Sequence, residues 1–356
     1  MSRILLSVLT VLWSLRPSLA QAQTAPAQPP PAAAPAEPDY PIVRVGVLSY
    51  LQYDAELTNR DGFNAFDVTR AYLNVTAQLS RNVRFRVTPD VRRATDGGPI
   101  AGSLVVRVKY AFAELDNVGA PRSWIRFGAH QTPWLDFEES VNRYRVQGQM
   151  FAERDGLIPG SADFGVGYFT PVGKYLDVQT GVYNGEGFGQ ADTNRYKSFQ
   201  GRVTVRPLAG RGIANGLRMS GFYSAGWYAA NRPRRLWMAM GSFEHTHLVA
   251  TVQQVAATEN PNAATPRDID RRGSSVFVEL REGPSGWAAL ARVDQFDPDR
   301  WLARNSQRRV IAGAAYWVVR PRSRVGLVVT DERVHYDAAA ARPRENRVLV
   351  QTHVEF

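Results

Sequence analysis

Val348-Leu349-Val350-Gln351-Thr352-His353-Val354-Glu355-Phe356 decides how the rest of this chain is read. Val348, Val350, Thr352, Val354 and Phe356 share one face of an extended strand, while Arg347, Gln351, His353 and Glu355 share the other. Alternation at period two, greasy on one side and wet on the other, suits a wall between lipid and water.

The opposite end of the chain supports that setting. Arg3 supplies a charged start, Ile4–Trp13 an apolar core, and Ser18-Leu19-Ala20 or Ala20-Gln21-Ala22 a small-residue cleavage site, so residues 1–22 read as an export signal. That apolar core is too short to span a bilayer, and no later run of about 18 apolar residues follows, which excludes a helical membrane protein. Residues 23–41, with Pro29-Pro30-Pro31 and Ala32-Ala33-Ala34, cannot pack a core and read as an extended periplasmic linker. Mean hydropathy is only −0.30, as expected where alternation hides an apolar face from averaging. The absence of cysteine excludes disulfide stapling and cysteine-ligated zinc.

Formal net charge is +10, and only three of the 43 basic residues are lysines: Lys109, Lys174 and Lys197. The arginines are scattered singly along alternating segments. A nucleic-acid binder would gather them in a basic helix or a recognisable motif, so no nucleic-acid partner is expected.

From Ile42 onward, short alternating runs are separated by Gly, Pro, Asn and Asp. They centre on 42–54, 66–79, 83–91, 104–114, 123–131, 162–170, 175–184, 198–206, 217–226, 235–244, 247–257, 273–281, 287–294, 308–319, 324–335 and 346–356. Links after even-numbered runs are mostly short, and links after odd-numbered runs mostly long; 207–216 and 227–234 blur the pattern. An even number of strands with short turns at one end and long loops at the other predicts an all-β fold, a transmembrane antiparallel β-barrel of about 16 strands over 42–356 in the bacterial outer membrane.

The faces can be assigned strand by strand. Ala71, Leu73, Val75, Ala77 and Leu79 oppose Arg70, Tyr72, Asn74, Thr76 and Gln78, and Val83, Phe85, Val87 and Val91 oppose Arg84, Arg86, Thr88 and Asp90. Leu104, Val106, Val108, Tyr110 and Phe112 oppose Arg107 and Lys109. An arginine facing lipid at mid-bilayer costs roughly 2–4 kcal/mol, so the charged face lines a wet lumen. Tyr50, Tyr53, Tyr110, Phe112, Trp227, Tyr228 and Trp237 near run ends are expected to form interfacial girdles.

Trp134–Glu153 is the longest non-strand segment, and its place after the fifth strand predicts a partly helical loop folded inward to narrow the barrel. It carries Asp136, Glu138, Glu139, Arg143, Arg145 and Glu153. Across from it the strands offer Arg70, Arg84, Arg86, Arg107, Lys109 and Arg126. Acids facing arginines across a narrow water-filled waist would select ions by sign, and the excess of arginine predicts anion preference.

The stretch Trp124-Ile125-Arg126-Phe127-Gly128-Ala129-His130-Gln131-Thr132-Pro133-Trp134, followed by Phe151-Ala152-Glu153-Arg154, resembles the phosphate-selective porin (O and P) family. Phe66–Leu79 and Gly181-Val182-Tyr183-Asn184-Gly185 are similar to further segments of that family. The resemblance implies a passive, homotrimeric outer-membrane channel for small anionic solutes, with phosphate among them. The family's phosphate-selective members carry lysines near the pore mouth, and this chain departs from them in having only three. An outer-membrane barrel also implies outer-membrane lipid and lipopolysaccharide as surroundings, and recognition of the C-terminal strand by the barrel-assembly machinery.

Other signals are weak. Gly185-Glu186-Gly187-Phe188-Gly189 opens no helix, so it reads as a loop and not a nucleotide cradle. His245 and His247 lack a third ligand, and neither cofactor nor metal is expected. A barrel enzyme would need a serine, histidine and acid on the rim, and no G-x-S-x-G elbow is present; a sugar-specific channel would line its waist with aromatics. Both remain alternatives to the ion channel.

Overall fold

In a computed structural model of the chain, residues 38–356 are described apart from 60–61, 95–96, 193, 230–231 and 262–266, and apart from the side chains of 228 and 229. The export signal and residues 23–37 of the linker lie outside the described residues.

Sixteen strands follow in order: β1 (Ile42–Glu56), β2 (Asn64–Gln78), β3 (Val83–Arg93), β4 (Leu104–Asp116), β5 (Trp124–Gln131), β6 (Ala162–Val172), β7 (Leu176–Tyr183), β8 (Ser198–Val205), β9 (Leu217–Ala229), β10 (Arg232–Glu244), β11 (Leu248–Glu259), β12 (Ile269–Arg281), β13 (Gly286–Asp297), β14 (Gln307–Arg320), β15 (Ser323–Tyr336) and β16 (Glu345–Glu355). Each pairs antiparallel with the next, and β16 returns to β1 in a register running from Leu48 opposite Glu355 to Glu56 opposite Arg347. Val47 and Phe356 finish this seam with reciprocal backbone hydrogen bonds of 2.8 and 3.0 Å. Closure leaves no strand edge with unpaired backbone groups, as a wall in hydrocarbon requires. The all-β, sixteen-stranded expectation is met, with strand ends within four residues of those read from the sequence.

Among the described residues no helix is long and apolar enough to cross a membrane. The outward face is apolar instead: Val45, Val106, Phe127, Trp237 and Leu280 are 58–70% exposed. Inward positions on the same strands are polar in the first half of the barrel, and Gln351 and His353 on β16 are buried within it as read.

Register shifts occur between β1 and β2, between β3 and β4 and between β9 and β10, and two departures from the pattern read in the sequence bear on the site. Thr88 pairs with Tyr110 and Pro89 with Val108, so Lys109 has no partner and β4 bulges there. Pro89 has no N–H to give the ladder, and a bulge is where such a residue is tolerated. The bulge inverts the faces beyond it: Tyr110 and Phe112, read as lipid-facing girdle residues, point inward at 5% exposure each. Tyr50 is likewise buried inside, whereas Trp227 and Trp237 are exposed as expected. The second departure lies in the links. β9 and β10 both extend toward 230–231, so that link is short, while 206–216 is long and holds a 3-10 turn at Gly212–Gly216.

Strands β4 and β5 approach each other closely at Gly128, which has φ +122°. A Cβ there would lie 2.3 Å from the Ala111 carbonyl oxygen, so only glycine fits.

Candidate functional site

The link from β5 to β6 folds into the barrel. It contains α1 (Pro133–Val141), a 3-10 turn at Tyr144–Gln147 and α2 (Phe151–Arg154). Pro133 starts α1 at a position where a missing N–H costs nothing. Trp134, Leu135, Phe137, Val141, Tyr144, Val146, Met150 and Phe151 from the loop are buried against an apolar inner wall. That wall comes from Phe222 on β9, Leu236, Met238 and Met240 on β10, Phe277 on β12 and Trp317 on β14. The expectation of a uniformly wet, arginine-lined lumen therefore fails on this side. Here the wall must bury a loop as well as face lipid: β10 is apolar on both faces, while β12 to β15 set Phe277 and Trp317 among buried polar residues such as Glu279, Asp294, Arg309 and Glu332.

Polar clamps fix the loop in place. Arg143 Nε donates to Glu279 Oε1 on β12 at 2.7 Å, and Tyr144 Oη donates to the same oxygen at 2.8 Å. Gln147 Nε2 donates to Glu332 on β15 at 2.7 Å, with Glu332 also held in a fork by Arg309. Gln351 Nε2 donates to the Val146 carbonyl at 2.7 Å, and Arg202 Nε to the Pro133 carbonyl at 3.0 Å. Arg143, expected at the waist facing the basic strands, is thus an anchor on the far wall, because Glu279 is the carboxylate within its reach. Glu279 and Glu332 were not singled out in the sequence, where lone glutamates in strands carry no signal.

The basic residues of β2 to β5 line the other side. Arg86 donates to Asn74 Oδ1 at 2.7 Å and Thr88 Oγ1 at 3.0 Å, with its guanidinium 4.5 Å from the Tyr110 ring centre. Arg70 lies over Tyr72 and Tyr50, at 4.8 and 5.3 Å. Lys109 donates to Tyr72 Oη and is enclosed by the rings of Tyr72, Tyr110 and Phe188, the last reaching in from the β7–β8 loop. Among the described residues these three cations have no carboxylate within ion-pair distance. Their neighbours do: Arg107 pairs with Asp90 at 3.1 Å and Arg126 with Glu114 at 2.5 Å. Arg84, second residue of β3, lies at the turn end beyond the waist and pairs with Asp116 at 2.5 Å and with Glu114. A cavity of about 270 Å³ runs along this wall, lined by Arg44, Gln78, Arg84, Arg86, Glu114 and Arg126 among others.

The loop acids divide. Asp136 faces the basic wall, 3.9 Å from Arg126, although burial raises its carboxyl above the ordinary range. Glu139 forms an ion pair with Arg145 at 3.1 Å; burial opposes its ionisation, but Arg145, Lys109 and Arg70 together hold it below the ordinary value. Arg145 also pairs with Glu153 and so ties the loop to itself, with no wall acid as partner. Glu138 departs from expectation. One residue from Glu139 on a helix, it faces away from the basic wall, with Trp134 Nε1 donating to it at 3.0 Å. Gln253 on β11, in the amide orientation that serves both neighbours, donates to its other oxygen at 3.2 Å.

Burial pushes the Glu138 carboxyl from 4.5 up to about 7, with Arg292 and the Trp134 hydrogen bond opposing the rise. An acid whose value is raised by docking favours the docked state when protonated. Docking should be firmest below pH 4.5 and weaken as pH rises through about 7. Open-channel current noise should therefore grow between these pH values, and Glu138→Gln should abolish the change. An identical pH profile in the variant would show that Glu138 does not hold the loop.

His245 and His247 sit in one turn with ring centres 5.7 Å apart. No group of three or more His, Cys, Asp or Glu residues suited to a metal occurs among the described residues.

No family model matches the chain, and no curated protein matches it. Solved structures do. The chain is similar to an anion-selective porin from Comamonas acidovorans, at 13% identity and TM-score 0.63, over 89% of this chain and 100% of that one. OmpT, an outer membrane protein of Vibrio cholerae, matches at 11% identity and TM-score 0.62 over 90% and 99% of the two chains. Salmonella typhi OmpF matches at 11% identity and TM-score 0.62 over 88% and 97%. At this identity the likeness establishes the fold, a porin-type barrel.

Proposed function

We propose that this barrel is a passive diffusion channel of the bacterial outer membrane for small hydrophilic solutes, with a preference for anions. The observation that carries the reading is the imbalance at the waist. Among the described residues Arg70, Arg86 and the buried Lys109 have no carboxylate within ion-pair distance, while the facing loop acids Asp136 and Glu139 are already engaged by Arg126 and Arg145. Arginine offers a fixed, permanently charged fork of donors suited to oxyanions. An anion crossing here exchanges part of its hydration for those donors. A cation meets, at Asp136 and Glu139, acids that already have arginine partners. The porin-type fold, shared with an anion-selective porin, supports the same reading. Phosphate is favoured among the anions only by the likeness of residues 124–134 and 151–154 to phosphate-selective porins. The reading implies no enzymatic activity.

The test is the zero-current potential of the purified barrel in a planar bilayer under a KCl gradient. Chloride should pass in preference to potassium, and replacing chloride with phosphate on one side should leave a measurable anion current. A potential of zero, or one of cation sign, would end the anion reading while leaving the channel itself in place.

A further inference from the structure

The two ends of the barrel differ in charge. The seven links at the short-turn end (79–82, 117–123, 173–175, the longer 206–216, 245–247, 282–285 and 321–322) hold six basic residues and one carboxylate, Glu282. The basic residues are Arg81, Arg122, Lys174, Arg206, Arg211 and Arg322, and the turn lacking both signs of charge holds His245 and His247. The loops at the other end hold eleven Lys or Arg against twelve Asp or Glu, so they are close to neutral. Arg206 is paired with Asp177 at 2.6 Å. Arg81, Arg122, Lys174, Arg211 and Arg322 are exposed to solvent. Arg122 keeps its place at φ +65°, a conformation that favours glycine.

We infer that this basic ring binds the anionic headgroups of glycerophospholipids in the leaflet facing the periplasm. The inference rests on the outer-membrane channel reading, in which short turns face the periplasm. Three observations favour lipid. The charges belong to five of the seven turns, those from β2 through β9 in succession and the one between β14 and β15, an arc of about two thirds of the circumference that an annulus of lipid would meet in full and a single docked partner only in part. Outward aromatic side chains lie within a few residues of the turns: Phe85, Tyr175, and Trp287 with Tyr316 at 5.1 Å, all 41–60% exposed. Such rings settle at headgroup level and fix the turns beside the phosphates. Finally, a lysine or arginine near an anionic leaflet gains roughly fivefold in association at physiological salt, and the gain accumulates along the ring.

The test uses the full barrel in vesicles of phosphatidylcholine containing about a third phosphatidylglycerol. Association of spin-labelled phosphatidylglycerol relative to spin-labelled phosphatidylcholine is read by electron paramagnetic resonance. We expect at least a threefold preference for phosphatidylglycerol at low salt. It should fall toward one in 0.5 M salt and in the variant carrying Arg81→Gln, Arg122→Gln, Lys174→Gln, Arg211→Gln and Arg322→Gln. Adding inorganic phosphate at matched ionic strength should leave the preference intact; competition would mean a site for free phosphate in place of headgroups. A ratio near one for the native barrel, or the same ratio in the variant, overturns the inference. Conductance in pure phosphatidylcholine tests the channel separately, and heat-modifiable migration of the variant confirms that it is folded.

Discussion

Replacing Arg70 and Arg86 together with glutamate should turn an anion-preferring barrel into a cation-preferring one. Each substitution changes the local charge by two units, at a waist where, among the described residues, neither arginine has a carboxylate within ion-pair distance. In water-filled surroundings a unit charge about 6 Å from the path is worth roughly 0.7 kcal/mol to a passing ion. The four units combined should shift the anion-to-cation permeability ratio by at least about tenfold after screening. The shift should be larger at low salt, where the Debye length grows. By contrast, Arg84→Glu alone should change the ratio little, because Arg84 sits beyond the waist and is matched by Asp116 and Glu114. A double variant that keeps the native ratio would show that these residues line the wall without filtering.

The second large effect concerns the inward loop. Its two ends already meet: the Thr132 N–H donates to the Ser161 carbonyl at 3.2 Å, and Thr132 Oγ1 lies 3.4 Å from the Gly160 carbonyl. Replacing residues 134–159 with two or three glycines should therefore leave β5 and β6 paired and the barrel closed. Single-channel conductance should at least double, since the excised segment fills the lumen as far as β15 and β16. Selectivity should weaken with it, because the basic wall would then face a wide channel in place of a narrow one. The excision uncovers Phe222, Leu236, Met238, Met240 and Trp317, so the milder Arg143→Ala, which removes the Glu279 clamp, provides an intermediate. Unchanged conductance in both would mean that the loop does not limit flow.

Much of the architecture was legible because each strand of a membrane barrel is read locally. Period-two alternation and Gly/Pro/Asn/Asp punctuation identified all sixteen strands, and the length of the segment after β5 identified the inward loop. The failures have a common origin in contacts that no local pattern records. Strict alternation through Lys109 puts Tyr110 and Phe112 on the lipid face, whereas the bulge turns them inward; Pro89 on the neighbouring strand is the residue in the sequence that signals the irregularity. Leu236-Trp237-Met238-Ala239-Met240 is apolar at both parities. That was a readable sign that β10 buries something on its inner side, but nothing in the segment says what. Arg143 and Glu138 were grouped with the waist by nearness in sequence, whereas helix geometry and the positions of Glu279 and Gln253 send both to the far wall.

The bulge in β4 gives Lys109 an unusual standing. Val108 and Tyr110 already hold opposite orientations and successive partners in β3, as adjacent residues of a regular strand would. Lys109 is therefore supernumerary: removing it would leave every other residue of β4 with its present face and partner. Loss of one residue from an ordinary barrel strand turns half of it inside out. At this one position a lysine has been added to the inner wall as an insertion into the weave, so that it can be gained or lost without rethreading the strand.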